Sequence, residues 1–254
     1  VRWTGPFESA ALLTALPVPA RLAPSTRGVL PWAPLVGLVL GGLAAGVAVL
    51  FADVVSPLVG AVLAVAVPAL LTRGLHLDGL ADTADGLGPL RDRERALQVM
   101  HQGDVGPFGV VTVVLTLLLQ VSCAAALLSA DGGWLPLWSA VLVARLAMVR
   151  TGLPGVAVAA GSSLGRAVAG TVSRAWWVAA VLAVAALVTG GALLVGGLTG
   201  VVVLLGSGAA GLLAAEVVHR RATVRLGGTT GDVMGAMGEV ATAVTLLTAA
   251  ALWP

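Results

Sequence analysis

Residues 175–218 read AWWVAAVLAVAALVTGGALLVGGLTGVVVLLGSGAAGLLAAEVV. A membrane-spanning helix needs about 20 predominantly apolar residues. At about 1.5 Å per residue this block is too long for a single crossing. Its middle, GGLTG at 196–200, supplies a turn, because glycine tolerates the dihedrals of a tight reversal. The block therefore predicts two antiparallel membrane helices, over 175–195 and 198–217, and makes the chain polytopic and all-α.

Working outward, the same criterion picks out residues 33–52, 55–72, 106–129, 134–152 and 235–253, giving seven expected spans in all. Composition agrees. Of 254 residues 58% are hydrophobic and 10% charged, with a mean hydropathy of +1.03. A soluble domain carries about 25% charged residues. No long linker, low-complexity tail or second soluble domain interrupts the pattern, so residues 1–254 read as one membrane domain. Residues 1–30 lack the compact apolar core of a cleavable leader. Within them, ESAALLTALPVPA at 8–20 is amphipathic enough to lie at a membrane surface. The single cysteine, Cys123, excludes a disulfide framework and reads as a small buried hydrophobe.

Every basic side chain other than histidine is arginine, and Lys, Ile, Asn and Tyr are absent, which points to a GC-rich bacterial genome rather than to function. The net charge of +2 is spread over several loops. Nucleic-acid binding, which needs clustered phosphate contacts, is thereby disfavoured. The arginines orient the chain. Arg2, Arg21 and Arg27 precede the first span, and Arg73, Arg91, Arg93 and Arg95 follow the second. Arg145, Arg150, Arg166 and Arg174 fall in or near the connection from the fourth to the fifth, and Arg220, Arg221 and Arg225 between the sixth and seventh. All lie on one side, and the opposite connections hold only Asp53 and Asp131. By the positive-inside rule the arginine side is cytoplasmic, which predicts a multi-pass inner-membrane protein. Trp32, Trp134, Trp138, Trp176, Trp177 and Trp253 sit near span ends, as interfacial tryptophans do.

Chemistry concentrates on that side. Residues 73–88 read RGLHLDGLADTADGLG. Asp78, Asp82 and Asp85 are offset by four and seven residues, which places all three within about 40° on one helix face. Like charges so aligned destabilise a helix unless a cation neutralises them. Hard oxygen ligands suit Mg²⁺, or Mn²⁺, completed by substrate phosphates. A solvated acidic face is the plainer alternative. A second motif, RLGGTTGDVMGAMGE at 225–239, places Asp232 and Glu239 seven apart. Asp232 reads either as a ligand or as the N-cap of the last span. His76 reads as a general base or as an interfacial hydrogen-bonding residue, and His101 and His219 as ordinary face residues. The charged segment RDRERALQVM at 91–100 is expected on the membrane surface, with phosphate contact as the alternative. Together, aligned acids, a hard metal and arginines at a membrane face suggest transfer of a phosphorylated group.

The chain resembles the cobalamin synthase family, the adenosylcobinamide-GDP ribazoletransferases. The likeness runs through LLTALPVP near the start, PLVGLVLGGL at 34–43, LHLDGLADTADGLG at 75–88, GPFGVV at 106–111 and LGGTTGDVMGA at 226–236. It implies a membrane enzyme that joins adenosylcobinamide-GDP to α-ribazole or its 5′-phosphate, releases GMP and requires Mg²⁺. By position, Asp78, Asp82, Asp85 and Asp232 match the family's acids and would hold the metal. His76 or an aspartate such as Asp82 would activate the attacking hydroxyl, and the corrinoid would lie along the membrane surface. Two departures stand out. Gln102 and Gly103 replace an Asp-Ser pair common in relatives, and Thr242 stands where a glutamate is often found, so the resemblance assigns no role to Asp104 or Glu239.

Two other classes compete. A CDP-alcohol phosphotransferase would carry an Ala-Arg pair after the first Asp-Gly, where this chain has Leu80 and Ala81. A transporter or channel would place ionisable groups near span midplanes, whereas the acids here are expected at one face.

Overall fold

The computed structural model describes residues 3–88 and 91–254, so Arg2 lies outside the described residues. Among these residues it forms eleven α-helices and no strand. The first five are α1 (Gly5–Leu13), α2 (Ala33–Val54), α3 (Pro57–Leu71), α4 (Leu75–Leu87) and α5 (Arg93–Met100). The rest are α6 (Pro107–Leu128), α7 (Trp134–Val149), α8 (Ser163–Val168), α9 (Arg174–Val195), α10 (Gly197–Leu226) and α11 (Gly231–Leu252). Six of them, α2, α6, α7, α9, α10 and α11, are long and apolar enough to cross a membrane, and the bent pair α3–α4 brings the number to seven.

The all-α polytopic architecture is thus as expected, but its second crossing is not a plain helix. α3 has 15 residues, and α4 leaves it at 89°. The corner is built from Thr72, whose Oγ1 donates to the Pro68 and Ala69 carbonyls, and from two successive left-handed residues, Arg73 (φ +57°) and Gly74 (φ +69°). Such a φ is uncommon for a residue with a side chain. α4, with three aspartates in its 13 residues, turns off the line of α3 and lies across the starts of α6 and α11.

α7 is the axis of the bundle. Its apolar window is 89% buried, against 17% for α9, which turns leucines such as Leu182 and Leu194 outward. Close approach of α2 to α7 depends on small residues, as in membrane helix packing generally. A Cβ added at Gly41 would stand 2.8 Å from the Trp138 carbonyl oxygen, and one at Gly37 would stand 2.8 Å from Cγ of Arg145.

Several expectations change in detail. The α9–α10 reversal is tighter than GGLTG, because Gly196 caps α9 and Gly197 (φ +59°) already begins α10. α10 does not stop near residue 217. It runs 30 residues, about 45 Å, so Arg220, Arg221 and Arg225 are helical. Burial of Ala222 and Leu226 against Ala96, Met100 and Val233 holds those extra turns, and Gly227 (φ +82°) ends them. For the same reason the segment at 91–100 docks on the protein, with the apolar side of α5 in that cluster. The N-terminal α1 is also docked, through Glu8, whose carboxylate accepts from the Gly28 amide (2.7 Å) and the Thr4 hydroxyl (2.8 Å).

One arginine departs from the sidedness pattern. Arg145 is 3% exposed, inside the bundle on α7, whereas Arg150 at the end of that helix pairs with Glu216 at 3.3 Å. The opposite end is closed by Trp253, whose Nε1 donates to the Asp131 carbonyl (3.0 Å). With the buried Cys123 replaced by alanine, single cysteines at Asp53 and Asp131 are expected to react with an impermeant maleimide from one face of sealed vesicles. A cysteine at the exposed Arg221 should react only from the other. Reaction of all three from a single face would break this span order.

Candidate functional site

Three separated motifs meet at α4. Its last acid, Asp85, is 5% exposed, and its two carboxylate oxygens accept from the amides of Gly106 (2.8 Å) and Gly109 (3.0 Å). These are orphan donors at the start of α6, whose N-cap Gly106 offers no side chain. A carboxylate there also complements the helix dipole. The GPFGVV motif is therefore the receptor for Asp85. Arg91 closes the same corner by donating from its Nη1 to the Asp85 carbonyl (3.2 Å).

On its other side α4 crosses α11 almost backbone to backbone. A Cβ at Gly79 would stand 2.7 Å from the Asp232 carbonyl oxygen, and one at Gly235 would stand 3.1 Å from Cα of His76. The two acidic motifs thus share one place. Asp232 is not the N-cap of α11. That part is taken by Thr230, whose Oγ1 accepts from the Val233 amide (3.1 Å), leaving Asp232 in the first turn with its carboxylate 3.3 Å from the Thr230 hydroxyl.

The aligned aspartates accordingly differ in setting. Asp78 is exposed, Asp82 half-buried and Asp85 buried. Burial pushes the Asp82 carboxyl up to about 7, helped by the facing charges of Asp78, Asp232 and Asp85 and opposed by His101. A carboxyl crowded by three others is what a cation would relieve. No three His, Cys, Asp or Glu side chains among the described residues stand close enough to hold a metal between them. The donor set therefore fits an ion that keeps water and takes only one or two carboxylates plus substrate phosphate, as Mg²⁺ does. Asp78, Asp82 and Asp232 could supply those donors. Asp85 is already committed to α6.

His76 is 4% exposed, and its Nε2 has no hydrogen-bond partner in the protein. It lines two cavities. The deeper, of about 40 Å³, also carries Arg145, Glu239, Gln120 and Thr242. Gln120 donates to Glu239 Oε2 at 2.9 Å. Ionisable groups therefore do enter the spans, contrary to the expectation that the acids keep to one face. The second cavity, of about 290 Å³, holds His101 and Asp232. His101 places its Nδ1 2.6 Å from the Leu97 carbonyl, which can only accept, so in the neutral ring Nε2 keeps its lone pair. On sequence alone His101 reads as an ordinary face residue. Its position one residue beyond α5 carried no signal until α5 was seen docked beside α4. Asp104 is exposed, and His219 is occupied by the Thr229 hydroxyl at 3.0 Å.

The division of labour between Thr230 and Asp232 is testable by thermal unfolding. Thr230→Ala should cost about 1 kcal/mol through loss of the cap. Asp232→Asn should leave the melting temperature unchanged while weakening Mn²⁺ binding. A large loss of stability in Asp232→Asn would make it a structural residue.

A family model described as Cobalamin-5-phosphate synthase matches residues 7–250. The adenosylcobinamide-GDP ribazoletransferase of Frankia casuarinae is 41% identical over 241 residues, covering 87% of this chain and 84% of its own. Those of Sinorhizobium medicae and Chlorobaculum tepidum are each 38% identical, covering 98% and 95% of this chain and 97% and 92% of their own. No solved structure is significantly similar to the chain. With the match running nearly end to end and through every motif that meets at α4, the chain belongs to the cobalamin-5-phosphate synthase family.

Proposed function

We propose that the chain is the adenosylcobinamide-GDP ribazoletransferase its relatives are named for, with α-ribazole or its 5′-phosphate as acceptor. Family membership makes it a membrane-embedded transferase of cobalamin biosynthesis. The observation that carries the finer reading is the meeting of Asp78, Asp82 and Asp232 at the Gly79–Asp232 crossing, where crowded carboxylates lie beside a cavity with two histidines.

In the reaction the 5′-oxygen of the acceptor attacks the phosphorus joined to cobinamide. A new P–O bond forms, the bond to the bridging oxygen breaks, and GMP leaves with that oxygen. The hydroxyl proton passes to a base. His101, with its free Nε2, and His76 both border the cavity, and His101 is the less enclosed. Mg²⁺, or Mn²⁺ in its place, would neutralise the diphosphate when held by one or two of Asp78, Asp82 and Asp232 together with water and substrate phosphate. Asp85 keeps α4 in place for them. The arginine-rich face carries the site, and the positive-inside rule puts that face in the cytoplasm.

Purified protein in lipid nanodiscs should form adenosylcobalamin and GMP from adenosylcobinamide-GDP and α-ribazole only when Mg²⁺ is added. Asp82→Asn should lower kcat at least 100-fold without disturbing membrane insertion. Absence of product from the wild-type protein with Mg²⁺ present would remove the assignment.

The Asp82 shift sets a pH dependence. Its folded value lies above the ordinary carboxylate value, so the metal-free protein holds a proton there below about 7. A cation must displace that proton. Mn²⁺ affinity, read by electron paramagnetic resonance, should fall about tenfold per pH unit below 7 and level off above it. A flat profile from pH 5 to 8 would mean that Asp82 is not a ligand.

A further inference from the structure

Two cavities open on opposite sides of α4, and they differ in size and chemistry. The first, of about 290 Å³, lies between α4 and the layer formed by α1, the turn before α2 and α8. Its floor is mostly apolar, built by Leu13, Leu30, Met148, Val168 and Met234, with the buried His76 and Ser162 set among them. Its rim is polar, with His101, Ser163 and Asp232. The second, of about 690 Å³, is a wide, shallow opening bounded by Arg73, Asp78, Val105 and Val110. Leu75 borders both, so the acid-bearing helix is the wall between them.

We propose that the smaller cavity is the acceptor subsite. The base of the nucleoside lies on the Leu13, Leu30, Met148 and Met234 floor, and its ribose turns the 5′-oxygen to Asp232. The donor, with its corrinoid, comes from the open side of α4 over Asp78. This placement rests on the ribazoletransferase reading above.

Size separates the substrates first. About 290 Å³ falls at the small end of ligand pockets, enough for one nucleoside, while a corrinoid many times larger needs the open side. Hydrogen bonding separates the bases next. The base of α-ribazole is a dimethylated bicycle attached through one ring nitrogen. It offers a single acceptor and no N–H donor, so an apolar floor leaves almost nothing unsatisfied. Guanine, on the donor, has several donors and acceptors that this floor would strand. The polar side chains of His101, Ser163 and Asp232 at the rim also fix which end of a ligand faces the carboxylates.

The test uses full-length protein in nanodiscs and equilibrium dialysis of labelled α-ribazole without donor or Mg²⁺, alongside steady-state turnover. Ser163 is exposed on the rim, so Ser163→Trp narrows the mouth without touching the core. It should weaken α-ribazole binding at least tenfold and raise the acceptor KM by a similar factor, with the KM for adenosylcobinamide-GDP unchanged. Free 5,6-dimethylbenzimidazole should compete with α-ribazole, and guanosine should not. Should Ser163→Trp fail to fold, Leu12→Trp obstructs the same cavity from α1 and should give the same pattern. If turnover is normal but the variant keeps wild-type acceptor binding, or shifts only the donor KM, the placement is wrong and the activity stands. Guanosine competing as well as the free base also overturns the placement. A wild-type protein that neither binds α-ribazole nor turns over removes both the placement and the activity.

Discussion

The carboxylate of Asp85, bound by the amides of Gly106 and Gly109, holds the site together. α4 leaves α3 at a right angle, so it cannot be located by continuing a span. Something must fix it across the bundle's end. A charge buried at 5% exposure is acceptable only where it is hydrogen-bonded, and the uncapped start of α6 supplies both donors and a favourable dipole. Charge-assisted bonds of this kind are roughly twice as strong as neutral ones. One interaction therefore satisfies the buried acid, completes the cap of a membrane helix and sets the angle at which α4 presents Asp78 and Asp82.

The second constraint is steric. Once Asp85 fixes one edge of α4, its other edge must meet α11, and Gly79 and Gly235 let the backbones come nearly into contact. No side chain separates the two motifs there, and the carboxylates are brought into mutual range. Burial, reinforced by this repulsion, pushes the Asp82 carboxyl up to about 7. Packing thus enforces an electrostatic arrangement that the acids alone would avoid. A cation is the natural means of relieving it.

Much of this could be read from sequence, and the limits are instructive. Apolar length located the spans because burying unpaired backbone in lipid forces helices. The 4 and 7 spacing of Asp78, Asp82 and Asp85 correctly put them on one helix. Spacing could not say that Asp85 would be captured by α6, since the partner amides lie 21 and 24 residues away and belong to backbone. Which residue caps α11 stayed open in the sequence for a similar reason. Asp232 and Thr230 are both good N-cap residues, and only the helix start at Gly231 decides for the threonine. The end of α10 escaped hydropathy because its last turns are stabilised by contact with α5 rather than by lipid. The meeting of the motifs could be anticipated only from their shared face, and their contact at Gly79 not at all.

Arg145 shows where a rule based on counting arginines gives way to local physics. An arginine at the centre of a membrane helix costs roughly 3 kcal/mol on insertion scales, less toward the ends. Arg145 makes no ion pair within 4 Å among the described residues, and its Nε lacks a hydrogen-bond partner there. Its charge is instead met at longer range by Glu239, which Gln120 holds in place. The cavity they share, about 40 Å³, exceeds the roughly 10–15 Å³ that one water requires. That cavity ends at His76, which also borders the one containing Asp232. The charged interior of the bundle and the acidic site are therefore neighbours through one imidazole. The most buried helix can carry a charge because its polar surroundings extend from inside the bundle to the helix that bears the site.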